Sequence, residues 1–196
     1  DPFIKGGLYA AGTLYKTGDY RPYLFRTKDY GQTWEKIDKG IPNNHFTRVL
    51  RADPKKEGLL YAGTESGMYI SFDDGSSWNS FQINLPLVPI TDLTIKNDNL
   101  IAATQGRSIW IIDDLTPLHQ LNKSNLNNDF HLFKPIDSYR MGNPSWGGSS
   151  PTQGKNHHNG VEVFFNIDKK FIDNNSDISL EFLDENQNTI KKYSSN

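Results

Sequence analysis

Asp29 and Asp73 have the strongest claim to a shared role, because each stands in the same frame. Thr27-Lys-Asp29-Tyr-Gly31-Gln-Thr33-Trp34 and Ser71-Phe-Asp73-Asp-Gly75-Ser-Ser77-Trp78 both read Ser/Thr-x-Asp-x-Gly-x-Ser/Thr-Trp. A glycosidase would need two carboxylates at a set separation across a cleft, and no spacing here shows that pair. Asp73-Asp74 and Asp113-Asp114 invite a metal-ligand reading. Adjacent strand residues point to opposite faces, so such pairs seldom share an ion. The frame fits a tight turn better. Its Asp accepts main-chain N–H groups, its Gly supplies a positive φ, its hydroxyl bonds locally and its Trp packs beneath the turn. Asp29, Gly31, Thr33, Trp34, Asp73, Gly75, Ser77 and Trp78 are therefore assigned structural roles, and no residue is assigned to catalysis.

Other residues could meet a ligand or partner. Arg107 and Trp110 lie in Gly106-Arg-Ser-Ile-Trp110. Arg107 could line an axial channel, but a structural salt bridge to Asp113 or Asp114 is the expected role. Tyr20 and Tyr23, in a long first hairpin, and Trp146, in a Gly/Ser loop, could stack on sugar rings or serve as packing lids. Arg48, Arg51 and Arg107 are not tied into a cluster by any pattern. His131 and His157-His158 have no carboxylate at a ligand-like spacing, so no metal site is expected. No cofactor is expected either. Asn122-Lys-Ser and Asn174-Asn-Ser match the N-glycosylation pattern.

These residues are carried by repeats. Asp29 and Asp73, Gly31 and Gly75, and Trp34 and Trp78 each lie 44 residues apart. Upstream, Leu8-Tyr-Ala-Ala-Gly-Thr13, Leu60-Tyr-Ala-Gly-Thr64 and Leu100-Ile-Ala-Ala-Thr104 are three copies of one strand. Phe46–Asp53 and Pro89–Lys96 both alternate apolar and polar residues, the mark of a half-buried strand. One repeat thus reads as four strands, at 47–53, 59–64, 67–73 and 77–83. Such periods signal a β-propeller. The third repeat has a decayed box, with Leu115-Thr-Pro-Leu118 in place of Gly-x-Ser/Thr-Trp. The first starts at its second strand and carries an excursion from Tyr15 to Tyr23. Three repeats do not close a ring, since propellers usually need 4–8 blades. The others are expected upstream in a longer precursor or in another chain.

The expected fold is all-β: a partial β-propeller of about three four-stranded blades over 1–121, then a partial immunoglobulin-like β-sandwich. Residues 122–160 read as a linker and long loop, with a short strand possible at Phe130–Lys134. The sandwich is expected to open over 161–196, with strands Val161–Ile167 and Ile178–Leu183 and a turn at Asp184–Asn188 leading into Thr189–Tyr193.

Composition agrees. Aromatic residues make up 12% of the 196 residues, and 16 Gly and 10 Pro supply turns. A net charge of −2 without a dense basic run argues against nucleic acid as partner. The absence of cysteine excludes disulfides. No stretch is apolar enough to span a bilayer.

The stretches Leu59–Trp78, Leu85–Leu93 and Gly106–Leu118 resemble the C-terminal propeller region of large secreted Bacteroidota proteins. These are the Asp-box, or bacterial neuraminidase repeat, proteins described as sortilin-like or glycosyl-hydrolase-like. The resemblance is strong over about 1–121, and the rest is similar to the β-sandwich that follows there. It implies a secreted, periplasmic or outer-membrane-surface location. It does not carry a sialidase site, because the arginine triad and nucleophilic tyrosine of that family have no place here. Members of the family often read Thr-His-Gly-Arg where this chain has Thr104-Gln-Gly-Arg107, so any role of that histidine is lost.

The leading functional expectation is a non-catalytic binding or assembly segment. Its partner would be a protein or the rest of its own propeller, with a glycan as a further possibility. Two alternatives stay open: part of a glycoside hydrolase with its carboxylates on blades outside this chain, and cargo or a partner of an outer-membrane secretion machine.

Overall fold

The structure is a computed structural model that describes residues 1–122, 128–138, 160–173 and 177–195. It divides into two compact units, Asp1–His119 and Gln120–Asn196.

The first unit contains three antiparallel meanders in sequence order. The first joins β1 (Leu8–Leu14), β2 (Asp19–Thr27) and β3 (Glu35–Lys36). The second joins β4 (Thr47–Ala52), β5 (Leu60–Thr64), β6 (Gly67–Ser71) and β7 (Asn79–Ser80). The third joins β8 (Ile90–Lys96), β9 (Asn99–Thr104) and β10 (Ile109–Ile112). Each strand pairs only with its chain neighbours, which is the construction of a propeller blade. The chain is all-β, and its repeats are blades. The alternating Thr47–Ala52 run forms a strand that buries Val49 and Leu50 toward different clusters and exposes Arg51, whereas every residue of β5 and β6 is buried.

Two expectations about this unit need correction. The Tyr15–Tyr23 excursion belongs to the expected long hairpin, but most of it is paired strand. A single 3-10 turn at Tyr15–Thr17 ends on Gly18, at φ 84°, and β2 already begins at Asp19. Leu14 pairs with Asp19 across a bulge, so the polar segment extends the ladder. The third blade has three strands. A short helix α1 (Thr116–Gln120) stands where its outer strand was expected. Pro117 fits the first turn of a helix, and Asp114 caps it by accepting the Thr116 amide at 2.8 Å.

The core follows the blade joints. Leu24, Ile37 and Ile41 of the first repeat pack with Leu50, Leu60, Ala62, Tyr69 and Trp78 of the second. Tyr61, Met68, Ile70 and Leu85 then pack with Ile90, Leu93, Leu100, Ala102 and Leu115. Gly63 lies at a tight point of the second joint. A Cβ there would stand 2.6 Å from Val49 Cγ1 and 2.8 Å from Ile90 Cγ2.

In the second unit β11 (Phe130–Leu132) pairs with β12 (Phe165–Ile167), and β13 (Ser179–Leu183) pairs with β14 (Thr189–Ser194). The hairpin turn is held by Asp184, whose Oδ1 accepts the amides of Asn186 and Asn188 at 2.8 Å. The expected strand from Val161 shortens to Phe165–Ile167. It pairs backward with Phe130–Leu132 rather than forward with the hairpin. A one-turn helix α2 (Lys169–Asp173) follows, capped by Asp168 Oδ1 on the Lys170 amide at 2.9 Å. A single turn is too short to show a helical period in sequence.

Candidate functional site

Both box turns fold on the same hydrogen bonds. In the first, Asp29 Oδ1 accepts the Thr27 hydroxyl at 2.7 Å and the Thr33 amide at 2.9 Å. Asp29 Oδ2 accepts the Thr33 hydroxyl at 2.6 Å, and Thr27 Oγ1 accepts the Gly31 amide at 3.0 Å. In the second, Asp73 takes the Ser71 hydroxyl, the Ser77 amide and the Ser77 hydroxyl at 2.8, 2.8 and 2.6 Å. The Ser71 oxygen accepts the Gly75 amide at 2.9 Å. The Thr33 and Thr27 donors hold the Asp29 carboxyl down to about 2. Burial opposes ionisation of Asp73, but the Ser77 and Ser71 hydrogen bonds outweigh it and keep the carboxyl below its ordinary range. These carboxylates are ionised acceptors already occupied by their own turns, a poor state for a general acid.

The middle residue of each box was given no role by the sequence, beyond the metal-ligand reading weighed for Asp73-Asp74. Tyr30 and Asp74 have φ values of 60° and 59°, and their amides donate to Gly6 and Gly58 carbonyls at 3.0 and 2.9 Å. Asp74 is also an ionic hub between repeats. Its carboxylate receives the Tyr9 hydroxyl at 2.5 Å, the Arg26 guanidinium at 2.6 Å and the Lys28 ammonium at 3.0 Å. Burial works against its ionisation, yet these partners hold its carboxyl below the ordinary range. Burial and the same contact push the Tyr9 phenol up.

The two box tryptophans differ. Trp78 is 3% exposed, and its Nε1 donates to the Ile37 carbonyl at 2.6 Å. Trp34 is 45% exposed, and its Nε1 donates to Gly31 of its own turn at 3.1 Å.

The opposite ends of the sheets carry a second set of groups. The Tyr15 and Phe46 rings stack at 4.8 Å, and Tyr20, 53% exposed, lies 6.1 Å from Phe46. The Arg48 guanidinium stands 5.2 Å over Phe46 and is paired with Glu65 at 2.5 Å. Tyr15, Phe46 and Glu65 were not foreseen. Tyr15 opens the hairpin excursion, which was the available signal for it. Tyr23 is engaged internally, with its hydroxyl donating to Asp19 at 2.6 Å and Lys36 5.0 Å over its ring.

Arg107 does not reach Asp113 or Asp114. Strand β10 separates them, and the guanidinium donates to Gly106 O at 3.1 Å. Trp110 Nε1 donates to Arg107 O at 2.8 Å, and its ring lines a cavity of about 30 Å³ with Met68, Leu85 and Leu100. That space suits a water molecule and is too small for a sugar. Arg48, Arg51 and Arg107 have separate partners: Glu65, Asp92 and their own loop. Trp146 and His157-His158 lie outside the described residues. His131 sits in β11, edge-on to Phe133.

One buried acid–base pair was also missed. Asp53, fully buried, accepts the amides of Lys55 and Lys56, His119 Nε2 at 2.9 Å and the Tyr61 hydroxyl at 3.3 Å. It closes the β4–β5 turn and fastens α1. Among the described residues, no group of three or more His, Asp or Glu side chains is arranged to hold a metal, and no helix is long and apolar enough to cross a membrane.

No family model and no curated protein matches the chain. Solved structures do. A structure described as YCF48 bound to D1 peptide is 21% identical, with a TM-score of 0.34, over 45% of this chain and 30% of its own. The GH74 enzyme of Niastella koreensis is 18% identical, with a TM-score of 0.45, over 87% of this chain and 28% of its own. The chain thus spans less than a third of either protein.

Proposed function

We propose that the chain is a non-catalytic binding or assembly segment of a larger secreted or cell-surface propeller protein. The observation that carries this reading is the state of the box carboxylates. Asp29 and Asp73 are fully occupied by hydroxyl and amide donors of their own turns, which leaves neither placed to protonate or attack a substrate.

Binding would fall to the end of the sheets away from the boxes. There Tyr20 is an exposed ring beside the stacked Tyr15–Phe46 pair, and Arg48 adds a cation held by Glu65. Rings and a fixed guanidinium suit a peptide segment, and an exposed tyrosine face also suits a sugar ring. Secreted or surface placement follows from the resemblance of the blades to the Asp-box proteins.

A panel of polysaccharides incubated with the chain tests the reading. The expected result is no turnover, with any retention of peptide or glycan lost on Tyr20→Ala. Release of sugar by the chain would overturn it; the glycoside hydrolase alternative, whose carboxylates lie on blades outside this chain, is tested by the same panel on the full-length precursor.

A further inference from the structure

The first and second repeats carry the same face, filled in one and bare in the other. Ala10 pairs with Phe25 just as Ala62 pairs with Tyr69, which sets Leu8 against Leu60 and Trp34 against Trp78. In the second repeat this face is closed: Leu60, Ala62, Tyr69 and Trp78 are 1%, 0%, 6% and 3% exposed. The first repeat closes it. Ile37 lies so near Gly75 that a Cβ there would stand 2.6 Å from its Cδ1. The Ile37 carbonyl takes Trp78 Nε1, and the Lys39 carbonyl takes the Trp78 amide at 2.9 Å.

Among the described residues, nothing fills the matching positions of the first repeat. Leu8 is 53% exposed and Trp34 45% exposed. Gly31, the counterpart of Gly75, has only Trp34 within reach of a Cβ, at 3.7 Å. Trp34 Nε1 turns back onto Gly31 O instead of meeting an incoming carbonyl. Ala10, Phe25 and Trp34 line an open apolar groove of about 330 Å³. Strand β1 is also an edge strand, whereas its counterpart β5 is flanked by β4. An unpaired edge beside an apolar groove is a surface suited to another strand.

We propose that this face is a docking site for a further repeat of the same Asp-box kind. The docked repeat places an isoleucine in the Gly31 notch and gives a main-chain carbonyl to Trp34 Nε1, and the chain leading on from it supplies the inner strand at the free edge of β1, as β4 does for β5. The internal joint at Trp78 is the template for each of these contacts. A second copy of this chain is the weaker occupant. Its third repeat exposes Ile109 and Ile111, at 65% and 53%, but lacks the outer strand that would lead into an Ile37-like residue. The inference deepens the assembly half of the proposed function and rests on it. Its readout contains no glycan, so a glycan result bears on that reading alone.

The test is an extended chain in which residues 1–58 are joined to Gly7 of the full chain, with Trp34→Phe in the added copy. This supplies one more repeat and an inner strand in the natural register. Acrylamide quenching of the original Trp34, isolated by subtracting a chain that also lacks it, should fall several-fold toward the protection of Trp78. Ile37→Asp in the added copy should restore quenching. Trp34 that stays accessible while Trp78 stays protected overturns the proposal. So does protection of Trp34 in the unextended chain that rises with concentration, which would make a second copy the occupant. If the extended chain fails to protect Trp78, it has not folded. A synthetic peptide copying residues 35–52 is then titrated against the unextended chain. Binding lost with Ile37→Asp in the peptide and with Trp34→Ala in the chain supports the site, and no binding overturns it.

Discussion

At the scale of single residues, the boxes show how much chemistry a turn can absorb. The identity of the box residues was legible because each type has one physical task, and the hydrogen bonds made by Asp29 and Asp73 follow that assignment. Asp74 was not legible. Its neighbour Asp73 shares its type, and only the third dimension brings Tyr9, Arg26 and Lys28 around it. The sign of its pH effect follows from its lowered folded-state pKa. The ion pairs stabilise the fold fully above the unfolded-state value, and the contribution is lost as pH falls through the folded-state value. Stability should therefore decline below about pH 4. Asp74→Asn should flatten that acid limb in thermal melts taken from neutral to acid pH. An acid limb as steep as in the unchanged chain would show that other carboxylates control it. Ser71→Ala removes a fully buried hydroxyl and strands the Gly75 amide, so a loss of about 1–3 kcal/mol is expected in urea unfolding.

At the scale of elements, the joints between blades matter more than the blades. The two box tryptophans read identically in sequence, yet their burial differs because burial depends on what the neighbouring repeat supplies. Trp78→Ala should cost about 3–5 kcal/mol, the range for emptying a large core site. Trp34→Ala should cost less than about 1 kcal/mol, as for a surface substitution. Equal losses in denaturant titrations would contradict the asymmetry. Gly63→Ala, at the contact with Val49 and Ile90, should destabilise by about 1–3 kcal/mol through overpacking. The inner three strands of the second blade fell close to where their period of two placed them. The outer strand shrank to Asn79–Ser80, because no further sheet neighbour fixes its far end. Strand pairing over Asp19–Tyr23 was not legible, because Gly18, Asp19 and Pro22 are residue types that strands disfavour. In the structure Gly18 makes the turn, and Pro22 sits buried within β2. Helix α1 escaped notice for the same reason as α2: five residues hold too little pattern.

At the scale of the whole molecule, both apolar clusters that join the blades lie inside Asp1–His119. Residues 1–119 alone should therefore unfold in one cooperative transition, with Trp78 protected from quenching as in the full chain. A shortened chain with an exposed Trp78, or with a broad non-cooperative melt, would show that the first unit needs residues beyond His119. The repeat count and the order of strands were readable because periodicity is written along the chain. The aromatic group of Tyr15, Tyr20, Phe46 and Arg48 was not, because its members come from segments of adjacent blades far apart in the sequence.

The joint at Trp78 also has a direction in time. The isoleucine that fills it belongs to the repeat made first, and the tryptophan that receives it is made 41 residues later. At roughly 5–20 residues per second on the ribosome, Ile37 waits a few seconds for its receptor. Each new repeat thus finds its earlier neighbour already emerged. Synthesis from the N-terminus can proceed as a zipper, in which the newest repeat seals onto the one before it.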